Sequence, residues 1–185
     1  MRVLMLGNSF TYFNDMPDTL ARLTGAEVTA HTRGGAHLSE QLNPDTEMGA
    51  RTLRALESEK WDYVVLQEYS NGPITTEAAY RRAVKALSEK ARAAGAVPVL
   101  YMTWAYQKDG KRLREFGMDY EEMYEKMQRA QEAAAKENGL LRANVGKAFY
   151  ENADMPGLYD PDDQYHPGEA GSLLAARVLA KVICG

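Results

Sequence analysis

The chain has 185 residues, 45% of them apolar and 26% charged, a length and balance suited to one domain that buries roughly 70% of its unfolded surface. With 15 Gly and 7 Pro it is neither collagen-like nor low in complexity, and a net charge of -4 gives no general attraction to nucleic acid or to an anionic membrane surface. The single cysteine, Cys184, excludes an internal disulfide and a Cys-rich zinc module.

Short apolar runs alternating with helical patterns predict an α/β domain over residues 1–185, with a five-stranded, mostly parallel sheet. The first run, Val3 to Leu6, is too short for a signal-peptide core or a membrane span, which points to a cytoplasmic protein. A second run, Val28 to Thr32, is followed by Asn43-Pro44-Asp45, which reads as cap, first-turn proline and early acid of a helix reaching about Lys60. After the third run, Tyr63 to Leu66, the residues Tyr80, Ala83, Val84, Leu87 and Ala91 keep helical spacing until Gly95 stops it. The fourth run, Val97 to Thr103, precedes a helix beginning at Asp119, with Glu122 in the capping-box position, and ending at Asn138-Gly139. A fifth run, Leu140 to Val145, and a closing helix from about Pro167 complete the pattern. Two long aperiodic stretches, 104–118 and 149–165, follow strands, where open parallel sheets bind ligands.

Gly7-Asn8-Ser9 follows the first strand directly, which puts the Ser9 hydroxyl at the carboxyl edge of the sheet; the competing reading is a polar turn that caps the next helix. A nucleophilic serine needs a base, and a third group to fix that base's tautomer. Asp163-Gln164-Tyr165-His166 offers both, because a carboxylate three residues ahead of an imidazole can reach it within one turn. Donors for a developing oxyanion are sought in Arg33-Gly34-Gly35 after the second strand, and in the amides of Gln67 and Asn71 after the third. His31 and His37 flank the glycine pair and read most simply as lone exposed histidines. Asn8, Tyr69, Trp104 and Tyr106 are candidate substrate contacts, the last two competing with a plain role in covering the sheet edge. Asp160, Asp162 and Asp163 do not match a calcium loop, so no metal and no cofactor is expected.

These blocks resemble those of the SGNH hydrolases, the GDSL-type esterases and lipases. Gly7-Asn8-Ser9 looks like the first block, Gly35 like the second-block glycine, and Asp163 with His166 like the terminal Asp-x-x-His. The third block, usually Gly-x-Asn-Asp, is altered: counting from Trp61 puts Gln67 at its glycine and Tyr69 at its asparagine, while Gln67 to Asn71 partly echoes a Gln-Gly-Glu-Ser/Thr-Asn segment of carbohydrate-acting members. The resemblance implies a three-layer, flavodoxin-like fold. It also implies a serine esterase acting on small-molecule or carbohydrate esters, with Ser9 as nucleophile, His166 as base, Asp163 as its partner, and Ser9, Gly35 and Gln67 or Asn71 around the oxyanion. The rival readings are a flavodoxin-like module that binds a phosphate or nucleotide without catalysis, and a silent domain that keeps the family fold.

Overall fold

The computed structural model describes residues 1–185. Five parallel strands, β1 (Arg2–Gly7), β2 (Glu27–Thr32), β3 (Tyr63–Leu66), β4 (Val97–Met102) and β5 (Leu141–Asn144), form one sheet in the order β2-β1-β3-β4-β5. Nine helices connect and cover them: α1 (Ser9–Tyr12), α2 (Met16–Thr24), α3 (Glu47–Ser58), α4 (Gly72–Thr75), α5 (Glu77–Ala93), α6 (Lys111–Phe116), α7 (Tyr120–Asn138), α8 (Val145–Glu151) and α9 (Glu169–Cys184). The result is a three-layer α/β/α arrangement, as the strand–helix alternation predicts. No helix is long and apolar enough to cross a membrane.

The alternation of side chains along each strand divides the core in two. Val3 and Met5 of β1 join Val65, Val99 and Tyr101 under α2, α8 and α9, contacting Leu20, Phe149, Ala175 and Leu179. Leu4 and Leu6 join Val64, Leu66 and Leu100 under α3, α5 and α7, contacting Leu56, Val84, Leu87 and Ala134. Strands covered on both faces must be apolar at every position, which is why the first, third and fourth runs are continuous.

Several boundaries differ from the predicted ones, each for a local reason. The helix expected from Asn43 begins at Glu47, because Asn43 closes a turn by accepting the Asp45 N–H at 3.0 Å and Thr46 takes over the cap, accepting from Gly49 at 3.1 Å. Asp119 caps α7 as predicted, through the Glu122 N–H at 2.7 Å, but the Glu122 carboxylate reaches Lys126 rather than closing the box. The fifth run ends at Asn144, whose side chain caps α8 through Lys147. Pro167 lies in a β-bridge with Tyr159, so α9 starts two residues later. The sequence reading set no bounds for α1, α2, α4, α6 or α8, and α6 falls inside the 104–118 stretch read as aperiodic; Pro17 in the first turn of α2 and Pro73 in that of α4 were available signals.

The chain runs from β1 outward to β2 and then returns to the other side of β1 as β3, so the carboxyl ends of β1 and β3 flank the point where strand order reverses, the place where open α/β sheets form their crevice. Leu4, fully buried beside that split, and Leu173, an exposed residue of α9, set the scale of packing. Leu4→Ala is expected to lower the unfolding free energy by about 3 kcal/mol and Leu173→Ala by less than about 0.5 kcal/mol, compared by urea titration.

Candidate active site

The turn after β1 is built around a buried amide. Gln67, at the end of β3, is fully buried; its carbonyl oxygen accepts from the Asn8 N–H and from the Thr11 hydroxyl, each at 2.9 Å, while its amide nitrogen donates to the Glu68 carbonyl. Gly7 has no room for a side chain, since a Cβ there would collide with Thr11 Oγ1 and Gln67 Oε1. Asn8 then caps α1 by accepting from Phe10 N–H at 3.0 Å and ties the turn to the glycine loop by donating to the Ala36 carbonyl at 2.9 Å. Ser9 is thereby fixed as the first residue of α1, a position whose N–H has no intrahelical acceptor.

His166 approaches from the loop before α9. Ser9 Oγ and His166 Nε2 are 2.8 Å apart, and His166 Nδ1 lies 2.5 Å from Asp163 Oδ2. A carboxylate can only accept, so Nδ1 carries the proton and Nε2 presents its lone pair to the Ser9 hydroxyl. Asp163 Oδ1 also accepts the N–H groups of His166 at 2.9 Å and Tyr165 at 3.0 Å. Burial pushes the Asp163 carboxyl up, but these two N–H groups and the imidazole outweigh it and hold the carboxyl below its ordinary value of 3.8. The imidazole is wedged among aromatic rings: Phe13 stacks on it at 4.2 Å and 5°, and Phe10 meets it edge-on at 5.5 Å.

A cavity of about 310 Å³ opens over Ser9 and His166, walled by Tyr12, Phe13, Gly34, Gly35, Tyr69 and Tyr165. Gly35, at φ +70°, occupies a left-handed position in a turn closed by Ala36 N–H to Arg33 O, and its own N–H has no acceptor in the protein. Two cavity-lining residues, Ser9 and Gly35, thus have main-chain N–H groups without an acceptor in the protein. No group of three or more His, Cys, Asp or Glu side chains is arranged to hold a metal ion.

The other sequence candidates lie elsewhere. Gln67 is fully buried and off the cavity wall, its oxygen spent in holding the β1 turn and one of its two amide N–H groups donated to the Glu68 carbonyl. Asn71 sits at the start of α4, off the cavity wall, with its side-chain oxygen taken by the Thr75 hydroxyl at 3.2 Å. Neither residue lines the cavity over Ser9 and His166. Trp104 is fully buried, stacked between Phe10 at 4.5 Å and Phe149 at 4.0 Å, with its N–H on the Tyr165 carbonyl; it forms a floor beneath the site rather than a wall. Tyr106 lies behind the wall, 3.1 Å from the Ser70 hydroxyl. Asn8 lines the cavity with its amide already engaged, whereas Tyr69 lines it with a hydroxyl that makes no hydrogen bond within the protein.

The histidines beside the glycine pair are not free either. His31 is buried against the Thr52 hydroxyl at 3.0 Å, and burial, assisted by the charge of Arg51, pushes its imidazole down to about 4. His37 pairs with the buried Glu68 at 2.7 Å. Residues given no role by the sequence reading are Phe13, Tyr12, Ser70 and Tyr165 in the cavity wall and Glu68 behind it; the aromatic run Phe10–Tyr12–Phe13 after Ser9 and the Gln67–Asn71 segment were the signals available.

Two measurements check these placements. Gln67→Leu leaves the Asn8 N–H and the Thr11 hydroxyl buried without an acceptor and is expected to cost about 2 kcal/mol or more in urea unfolding; Asn71→Ala is expected to cost less than about 1 kcal/mol. Because the folded-state value of Asp163 is depressed, its stabilisation is present above the ordinary carboxylate range and lost as pH falls through the folded value. The stability gap between the wild type and Asp163→Asn should stay level from neutral pH down to about 5 and shrink below that.

No protein-family model matches the chain, and no curated protein does. Solved structures do. A protein of Slackia heliotrinireducens described as an SGNH hydrolase is 50% identical, with 99% of this chain and 98% of that chain covered and a TM-score of 0.94. A lipolytic protein of the G-D-S-L family from Desulfitobacterium hafniense is 19% identical over 98% of both chains, with a TM-score of 0.72. The acetylxylan esterase Axe2 of Geobacillus stearothermophilus is 18% identical, covering 98% of this chain and 93% of its own, with a TM-score of 0.70. The last two similarities concern the fold alone. At half-identity over the whole length of the first, the chain belongs to the SGNH hydrolase family.

Proposed function

We propose that the protein is a serine esterase that hydrolyses carboxylic esters, with short, acetyl-type acyl groups carried on a sugar or another small alcohol. The observation that carries this reading is the continuous path from Ser9 Oγ through His166 to Asp163, at 2.8 and 2.5 Å. Those lengths fit a nucleophile, its general base and an orienting carboxylate. Family membership supports hydrolysis, and the acetylxylan esterases among the fold relatives support an acetyl ester as the first substrate class to test.

In this mechanism the Ser9 oxygen attacks the acyl carbon while His166 Nε2 takes its proton. Asp163 keeps the proton on Nδ1 and stabilises the imidazolium. The carbonyl oxygen, now negative, receives the N–H groups of Ser9 and Gly35, donors held in place before reaction by the cap of α1 and by the glycine turn. Collapse of the tetrahedral intermediate breaks the ester C–O bond, and the proton on His166 passes to the departing alcohol. Water, activated by the same imidazole, then adds to the acyl-enzyme and releases the acid and the free serine. The Phe13 ring against the imidazole keeps Nε2 directed at Ser9 through both half-reactions.

Ser9→Ala and His166→Ala are each expected to lower kcat for p-nitrophenyl acetate by on the order of 10⁴-fold, whereas Asn71→Ala should stay within about twofold of wild type. A fluorophosphonate probe should label the wild type and not Ser9→Ala. Undiminished turnover by Ser9→Ala would overturn the assignment. Acetylated xylo-oligosaccharides and acyl chains of increasing length, assayed side by side, test the substrate class, and a preference for long chains would contradict it.

A further inference from the structure

Outside the triad, Glu68 is an ionisable side chain only 3% exposed, directly behind the cavity wall. An isolated buried carboxylate is costly, and this one is surrounded by donors. Its Oε1 accepts from His37 Nδ1 at 2.7 Å and from the Tyr69 N–H at 2.8 Å, and its Oε2 accepts from the Leu38 N–H at 3.2 Å. The backbone of α4 closes over the same group, since a Cβ on Gly72 would lie 2.8 Å from Oε1. Burial pushes the carboxyl up, opposed by the Tyr69 N–H, His37 and the Leu38 N–H.

The groups tied together here belong to the two loops, after β2 and after β3, that each supply residues to the cavity wall. His37 and Leu38 continue the turn that carries Gly34 and Gly35, and Tyr69 follows β3. The glycine turn is thus held at two points. From the β1 side Asn8 donates to the Ala36 carbonyl, and from the β3 side Glu68 holds the next two residues. The His37 ring also lies 4.8 Å from the Tyr69 ring, and the His37 N–H is fixed by Glu40 at 2.9 Å. Neither His37 nor Glu68 lines the cavity.

We propose that His37 and Glu68 form a second imidazole–carboxylate pair, a positioning pair that sets the Gly35 N–H and Tyr69 at their places around the reacting carbonyl. The proposal rests on the esterase reading above. It explains why an acidic side chain is buried at a strand end where apolar packing would suffice: a carboxylate has enough acceptor sites to bind donors from two loops at once. A pair with only a stabilising role would affect unfolding and leave turnover alone; a positioning pair affects kcat, because a donor displaced from the oxyanion weakens the transition state more than the ground state.

The test uses His37→Ala and His37→Asn, since an asparagine side-chain N–H can stand where the imidazole Nδ1–H donates. His37→Ala is expected to lower kcat for p-nitrophenyl acetate by on the order of tenfold with KM within about twofold, and His37→Asn to recover most of the loss. In parallel, amide exchange at Leu38 and Tyr69 should speed up and the Gly35 order parameter should fall in His37→Ala, both returning in His37→Asn, while β1 and β4 amides stay protected. Unchanged kcat in His37→Ala, a KM effect alone, or no recovery with asparagine would overturn the proposal. Full activity of Ser9→Ala would instead remove the esterase reading; the exchange data still judge the pairing, and unaltered Leu38 and Tyr69 exchange in His37→Ala overturns it independently.

Discussion

At the split between β1 and β3 one carbonyl oxygen, that of Gln67, takes the Asn8 N–H and the Thr11 hydroxyl in a fully buried position. Those two bonds decide the direction in which the chain leaves β1, and the space they need is why residue 7 has no side chain. A buried amide with both ends satisfied is rigid, because any alternative leaves polar groups unpaired in a low-dielectric interior. Ser9 inherits that rigidity: its hydroxyl sits on the first turn of a four-residue helix too short to hold itself, yet it is pinned by a cap in front and an amide beneath.

The opposite half of the site is held by aromatic packing. Trp104 lies between Phe10, next to Ser9, and Phe149 of α8, and its N–H fixes the Tyr165 carbonyl just before His166. One buried ring therefore connects the serine's helix to the histidine's loop. Phe13 and Phe10 then close on the imidazole from two sides. The same rings that supply apolar burial also limit how far the imidazole can turn, so the stability of this corner and the alignment of Ser9 with His166 depend on the same contacts.

Polar ties complete the frame from the remaining direction. Asn8 and Glu68 hold the glycine turn from two neighbouring strand ends, so the segment carrying Gly35 is fixed by side chains from β1 and β3 rather than by its own strand. In an SGNH hydrolase whose third block lacks its usual glycine and asparagine, those positions hold Gln67 and Tyr69, one turned inward as scaffold and the other facing the cavity.

The sequence by itself determined the layers and the order of the chemistry. Apolar runs that must be continuous to be covered on both faces mark β1, β3 and β4, and the caps at Asp119 and the stops at Gly95 and Gly139 are local hydrogen-bonding and backbone preferences that need no partner from afar. The Asp163–His166 spacing was legible for the same reason, since one turn of chain brings the two groups together. Only the tertiary structure decided which way each strand-end side chain turns. Gln67 and Asn71 both follow β3 and both carry amides, but one is consumed by the turn after β1 and the other by its own helix. Trp104 and Tyr106 stand in a long loop and are nevertheless buried, because the rings that receive them come from α1, α6 and α8. Position along the chain fixes the strand end at which a residue arrives; for Gln67 and Trp104, whether the side chain faces the cavity or the interior depends on partners tens of residues away, whose hydrogen bonds and packing a local pattern does not record.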